Sequence, residues 1–416
     1  MIYRIRKKDK TLKGTIRLTP SKSISNRLLI IQSLCEEKFK IHNLATANDT
    51  SLLQRLLNSA PGILNAEDGG TTFRFLTAYL SQKPGEWLLT GSDRMKKRPI
   101  GILVDALRKL GAEISYTEKE KFPPLKISGK KFAGGEIEID GSISSQFISA
   151  LLLIAPTLEN GLKLKLIGEI SSYSYIEMTL KLMNVFGIQY SWNENIVSIA
   201  HQQYKPSAIF VEKDWSAASY WFEMAAMSDD VDLMIKGLQQ NSIQGDSVIS
   251  EIMKQFGVET EFVKEGIRLT KKSFFYLPEK FSFDFIPYPD LVQAMAVTCA
   301  VLGVAGEFTG VKSLRIKETD RLAALQTELK RIGVKCGILD FGFEISNYSN
   351  VHRPSSNLQF PTSIFRTYND HRMALSFAPL AIKLGEVEIE NPEVVRKSYP
   401  EFWDDLRSVG FEISEI

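Results

Sequence analysis

Cysteine is scarce in this chain: Cys35, Cys299 and Cys336 are the only three in 416 residues, far apart and with no CxxC pair. That excludes a disulfide framework, and the apolar setting Ala296-Val297-Thr298-Cys299-Ala300 predicts reduced thiols in a core. Histidine is nearly as rare, and His42, His201, His352 and His371 share no metal-ligand spacing, so no metal site is expected. His42 and His201 read as strand or surface residues. A GxxxxGK(S/T) loop, a GxGxxG fingerprint and an HExxH pair are all missing, which removes support for a nucleotide phosphate cradle or a zinc site. Net charge is missing too: 51 basic residues against 49 acidic leave +2, so no global field draws the chain to nucleic acid or a membrane. Any basic patch must be local. The longest mostly apolar stretch, residues 291–306, falls short of the ~20 residues a bilayer needs and reads as a buried helix. The N-terminus, Met1-Ile2-Tyr3-Arg4-Ile5-Arg6-Lys7, is a short alternating strand without a signal peptide's apolar segment, so a cytoplasmic location is expected.

What the chain does have is enough apolar sequence for more than one core, and its length predicts two domains. A coarse repeat organises it. Five times an apolar helix runs into a glycine and then an alternating strand, at Gly111, Gly187, Gly257, Gly333 and Gly410, and each glycine fits a helix C-terminal cap. A degenerate copy near Leu57-Asn58-Ser59-Ala60-Pro61-Gly62 makes six units of roughly 70 residues, three per domain, with the division near Phe210-Val211-Glu212. Alternation such as Glu136-Ile137-Glu138-Ile139 marks strands with one wet face, so the helices should fill each domain's middle.

The starts of those helices carry the chemistry. Polar and basic clusters open the apolar runs at Ser21-Lys22-Ser23-Ile24-Ser25-Asn26-Arg27, Gly69-Gly70-Thr71-Thr72-Phe73-Arg74, Ser144-Ser145-Gln146, Lys317-Glu318-Thr319-Asp320-Arg321 and Asn369-Asp370-His371-Arg372. Plain capping explains the Ser and Asp residues but not the cations, because Lys or Arg in a first turn sacrifices ~0.3–1 kcal/mol unless an anion answers it. Free N–H groups, hydroxyls and cations together make anion sites. Two carboxylates lie among these cations or at a helix start: Glu318, and Asp290 after Ile286-Pro287-Tyr288-Pro289. Either could be a simple cap, or could move protons.

These clusters, together with Arg94-Met95-Lys96-Lys97-Arg98-Pro99-Ile100, resemble in colinear order the motifs of the 3-phosphoshikimate 1-carboxyvinyltransferase (EPSP synthase) family. The resemblance implies an α/β fold, a two-domain inside-out α/β barrel of six βαβαββ-type repeats, three per domain, as in enolpyruvyl transferases. Residues 14–211 would form the first domain and residues 1–13 with 212–416 the second, the active site lying in the cleft between them. It implies transfer of the enolpyruvyl group of phosphoenolpyruvate to the 5-hydroxyl of shikimate 3-phosphate by addition and elimination, with no cofactor and no metal. Shikimate 3-phosphate would be held by Lys22, Ser23, Arg27, Ser144, Ser145, Gln146, Ser172, Tyr175, Asp290 and Lys317. Phosphoenolpyruvate would meet Lys22, Gly70, Arg98, Gln146, Arg321, Arg372 and Lys397, and Asp290, Glu318 and Lys22 would be catalytic. Lys397 taken alone reads as a surface lysine. The resemblance also implies a monomer acting on small molecules, with neither nucleic acid nor membrane as partner.

Three departures from the family pattern stand out: Asp68 where an asparagine is frequent, Ser313 likewise, and Tyr173-Ser174 in place of Lys-Pro. Rival readings remain. A sister transferase acting on UDP-N-acetylglucosamine would carry a reactive cysteine in the stretch that here reads Gly91-Ser92-Asp93-Arg94-Met95-Lys96-Lys97-Arg98. An RNA 3′-phosphate cyclase-like protein would need a nucleotide site and a broad basic face. A non-catalytic anion binder would have no use for both Glu318 and Asp290.

Overall fold

The five repeat glycines all take positive φ, between 76° and 110°, a region that a side chain penalises and glycine enters freely. At each of them the chain leaves a helix and turns into an antiparallel strand pair. The computed structural model describes residues 1–340, 342–346 and 364–416, so His352 lies outside the described residues. The chain divides into a central unit, Pro20–Val211, and a terminal unit, Met1–Thr19 with Glu212–Ile416.

In the central unit, Gly62–Asn65 pairs in parallel with Gly85–Thr90, and Leu125–Gly129 and Glu113–Tyr116 add antiparallel. Gly135–Asp140, Leu162–Ile167, Ile196–Ile199 and Ser191–Asn193 repeat the same pattern. Ile137 and Ile139 face inward while Glu136 and Glu138 face water and pair with Lys163 and Lys165 on the neighbouring strand. Helices Lys22–Leu34, Gly70–Gln82 and Ser145–Ile154 pack against one another in the middle. The sheets therefore surround the helices, as the alternating strands required. The degenerate sixth repeat is real but truncated: its second helix, Asn48–Leu57, runs directly into the strand Gly62–Asn65 of the next sheet, without a hairpin. Only a two-residue parallel pair, Ile41–His42 with Ile209–Phe210, is left for its sheet.

Among the described residues the terminal unit holds three four-stranded sheets around helices Trp215–Met227, Val292–Leu302 and His371–Phe377, which also pack together. Two of these sheets borrow a strand from the N-terminus. Ile2–Arg6 lies between Glu386–Glu390 and Glu412–Glu415, and Thr11–Arg17 runs parallel to Asp230–Lys236. The borrowed segment thus reaches Thr19, six residues beyond the expected limit of 13, because the strand leading into helix Lys22–Leu34 pairs in the terminal unit. All three cysteines are buried and unpaired, His42 ends a two-residue strand, and His201 Nδ1 sits 2.9 Å from the Leu158 carbonyl. No described helix is long and apolar enough to cross a membrane.

Candidate active site

The helix starts of the central unit hold their cations close. Ser21 caps helix Lys22–Leu34, its side chain accepting from the Ile24 N–H, and this places Lys22 at the first helical position. Lys22 Nζ lies 3.4 Å from Asp49 Oδ2, in the first turn of helix Asn48–Leu57. One turn on, Arg27 is fully buried. It donates to Thr179 Oγ1 at 2.7 Å, Ser149 Oγ at 3.1 Å and the carbonyls of Ser23 and Tyr175, and burial brings its guanidinium down to about 10. Its partners are hydroxyls and carbonyls, which orient the fork without cancelling its charge. Tyr175 also stacks its ring beside Arg27.

Gly70 opens its helix between two guanidinium groups. A Cβ at this position would stand 2.5 Å from Arg98 Nη1 and 3.0 Å from Arg74 Nη1, so only glycine lets both forks approach the helix start. Arg98 is buried, and Arg74 donates to the Gly70 carbonyl and lies over the Phe147 ring. Asp68, the extra carboxylate, accepts a hydrogen bond from Ser92 Oγ. Ser144 caps helix Ser145–Ile154, accepting from the Gln146 N–H at 3.3 Å, and Gln146 Nε2 donates to Thr71 Oγ1 at 2.9 Å. Gln146 is thereby tied to the residue that follows Gly70. Ser172 is buried, in the left-handed region at φ 58°, at the start of helix Tyr173–Val185.

In the terminal unit the cations are answered by protein carboxylates. Arg321, at the first position of helix Arg321–Arg331, is 2% exposed and spends all three guanidinium nitrogens on acids. Nε donates to Asp370 Oδ2 at 2.7 Å, Nη1 to Asp290 Oδ1 at 3.2 Å, and Nη2 to Glu318 Oε2 at 2.9 Å. Burial opposes its charge, but Asp370, Glu318 and Asp290 together hold it well above the ordinary arginine range. Arg372 Nη2 pairs with Asp290 Oδ2 at 2.7 Å, while Nη1 donates to the Tyr220 hydroxyl at 3.1 Å and to the Asp290 carbonyl. Lys397 Nζ reaches Glu318 Oε1 at 3.3 Å, so it is not the surface lysine its local sequence suggests. Lys317, half-buried, precedes Glu318 where the 3-10 turn Lys312–Ile316 ends, and Ser313 is buried within that turn.

Asp370 caps helix His371–Phe377, accepts from the Arg372 N–H and grips Arg321. His371 is buried, its Nδ1 3.6 Å from Asp370 Oδ1. Asp246 accepts from Ser216 Oγ, and its carboxyl is pushed up to about 7, first by burial and then by the negative charge of Asp290. Among the described residues no group of His, Cys, Asp and Glu side chains is arranged to hold a metal ion.

Within each unit, then, the first turns named from sequence do gather into polar networks. Sequence reasoning missed Asp49, Tyr220 and Asp246, and it missed Asp370 as the partner of Arg321. Asp49 and Asp246 look like ordinary helix-start acids, and Tyr220 like core, so nothing local marks them.

A family model described as EPSP synthase (3-phosphoshikimate 1-carboxyvinyltransferase) matches residues 6–61 and 52–406. A protein from Bacteroides fragilis named 3-phosphoshikimate 1-carboxyvinyltransferase is 46% identical over 404 residues, covering 97% of this chain and 96% of that one. One of the same name from Shewanella pealeana is 36% identical, covering 96% and 98%. Among solved structures, EPSP synthase from Acinetobacter baumannii superimposes with a TM-score of 0.79 at 21% identity over the full length of both chains. The enolpyruvyl transferase NikO from Streptomyces tendae gives 0.75 at 13% identity, over 99% and 98% of the two chains, which speaks for the fold alone. Tied from strand repeat to helix-start cations, and matched over nearly its whole length, the chain belongs to the EPSP synthase family.

Proposed function

We propose that the chain transfers the enolpyruvyl group of phosphoenolpyruvate to the 5-hydroxyl of shikimate 3-phosphate, releasing phosphate, in the shikimate pathway that leads to chorismate and the aromatic amino acids. The observation that carries the assignment of roles is the alternating ion-pair chain Arg372, Asp290, Arg321, Glu318, Lys397. It interleaves anion-binding cations with two carboxylates that can take and return protons. The hydroxyl attacks C2 while C3 gains a proton, giving a tetrahedral adduct; C3 then loses a proton and the C–O bond to phosphate breaks. Glu318 serves C3, Asp290 receives the hydroxyl proton, and Lys22 shares either task. Fixed cations stabilise the carboxylate and the departing phosphate. Lys22, Gly70, Arg98, Gln146, Arg321, Arg372 and Lys397 act on phosphoenolpyruvate. Arg321, whose nitrogens already bridge three acids, contributes chiefly by holding those acids in place. Lys22, Ser23, Arg27, Ser144, Ser145, Gln146, Ser172, Tyr175, Asp290 and Lys317 serve shikimate 3-phosphate, with hydroxyls and amides for the polyol and cations for its phosphate. We further propose that the protein works as a monomer in the cytoplasm.

A coupled phosphate-release assay tests the reading. Release with shikimate 3-phosphate and none with UDP-N-acetylglucosamine is expected; the reverse pattern, or none with either, overturns it.

Gly70→Ala pushes a methyl group against Arg98 Nη1. The KM for phosphoenolpyruvate should rise about tenfold, equivalent to ~1.4 kcal/mol, with the melting temperature nearly unchanged because a side-chain tip can move aside. Steady-state kinetics with each substrate varied in turn checks this.

Asp246 supplies a pH dependence. Its carboxyl is raised in the folded chain to about 7, so it is neutral below that pH and adds a negative charge beside Asp290 and Arg372 above it. Binding of an anionic substrate should therefore weaken as pH rises through about 7. The stability linkage has the same direction: the favourable difference is complete below the unfolded carboxyl value and is lost as pH rises toward about 7. Asp246→Asn should flatten the alkaline limb of kcat/KM for phosphoenolpyruvate and raise stability at pH 8 relative to pH 5. A profile identical to wild type removes Asp246 from the site's electrostatics.

A further inference from the structure

We propose that Tyr220 and Tyr399 are positioning residues for the enolpyruvyl transfer, fixing the spacing between the Arg372 guanidinium and the Lys397 ammonium from one core helix. The proposal rests on the functional reading above and deepens it.

Arg and Lys side chains carry ~2 kcal/mol of rotamer entropy each, so two cations that must meet one small anion need support beyond their ion pairs. That support converges on adjacent residues of helix Trp215–Met227, whose first turn is capped by Asp214 and whose interior is wholly buried. Tyr220, 1% exposed, presents its hydroxyl to Arg372 Nη1 at 3.1 Å. The next residue, Trp221, donates its indole N–H to the Tyr399 hydroxyl at 3.1 Å, and that hydroxyl donates to Asp405 Oδ2 at 2.6 Å.

Tyr399 is fully buried and stands two residues after Lys397, where its own N–H and that of Ser398 close on the Val395 carbonyl. Its anchored ring therefore clamps the end of the 3-10 turn Pro392–Lys397 from which the lysine projects. Phe402 fills the space beside both tyrosines, with ring centroids 6.5 Å from Tyr220 and 5.5 Å from Tyr399. One helix thus holds both ends of the ion-pair chain, and neither hydroxyl belongs to a group that reacts. Burial and wedge packing make the arrangement stiff, and the two hydroxyls give it direction.

The test removes the hydroxyls and keeps the rings: Tyr220→Phe, Tyr399→Phe and the double variant, with KM measured separately for phosphoenolpyruvate and shikimate 3-phosphate. Each single variant should raise the phosphoenolpyruvate KM roughly tenfold, as expected for losing a hydrogen bond that orients a charged group. The shikimate 3-phosphate KM should stay within about twofold. An unchanged phosphoenolpyruvate KM in both variants overturns the proposal, and so does a rise in both KM values that merely follows a fall in melting temperature. A wild-type chain that releases no phosphate is a different failure, one that removes the parent reading and the positioning role with it.

Discussion

Replacing Glu318 by glutamine should lower turnover by about 10² to 10⁴-fold, the usual contribution of a positioned acid or base, while shikimate 3-phosphate still binds with nearly native affinity. The asymmetry follows from the geometry. Glu318 is held by Arg321 Nη2 at 2.9 Å and Lys397 Nζ at 3.3 Å, so its position depends on two donors that the glutamine carbonyl can still satisfy in part. What glutamine cannot do is take a proton to deliver to C3 and then accept one back. Single-turnover measurement of adduct formation, paired with equilibrium binding of shikimate 3-phosphate, separates the two effects. Near-native turnover would take Glu318 out of the mechanism and leave Lys22 or Asp290 as the group serving C3.

Arg321→Met has the second large effect, on stability as much as on activity. The substitution leaves Asp370, whose side chain is fully buried, with its closest cation gone, and it deprives Asp290 and Glu318 of their shared bridge. Removing one partner of a buried ionic cluster costs about 3–5 kcal/mol, because the remaining charge stays desolvated and uncompensated. At roughly 2–4 °C per kcal/mol for a unit of this size, the melting temperature should fall by about 10 °C. Activity should be lost as well, since both proposed proton-transfer groups lose their anchor. Arg321→Lys should recover little, because one ammonium cannot span three carboxylates as a planar fork does. Adding Asp370→Asn to Arg321→Met should return part of the lost stability but none of the activity, and thermal unfolding of the four proteins in this cycle measures the coupling. If Arg321→Met melted within about a degree of wild type, the cluster would be contributing little to the fold.

The contrast between the two units bears on how the site was legible. Cations at helix starts call for an answering anion, and in the terminal unit the protein itself supplies the answering charges: Asp290, Glu318 and Asp370. Arg321 is accordingly more deeply committed to the protein than a ligand-binding arginine would need to be. In the central unit the reading comes closer to its premise, since Arg27 meets hydroxyls and carbonyls and Arg98 lies against the helix start at Gly70. Lys397 shows the opposite failure. Val395-Arg396-Lys397-Ser398 has no periodic or capping signal, yet Lys397 meets Glu318 while Tyr399, two residues on, docks on Trp221 from far away in sequence.

By itself the sequence determined the repeat, the helix-inside arrangement and the polar and basic first turns, because caps, glycine turns and strand alternation are local rules that act over a few residues. Tertiary structure alone decided which charges meet. Asp49 reaches Lys22 across two helices, Asp370 reaches Arg321 across 49 residues, and the strand Thr11–Arg17 leaves the helix it precedes to pair beside Asp230–Lys236. Ion pairing and strand pairing act through space, with energies set by distance and burial, and no pattern in neighbouring residues records a partner so remote along the chain.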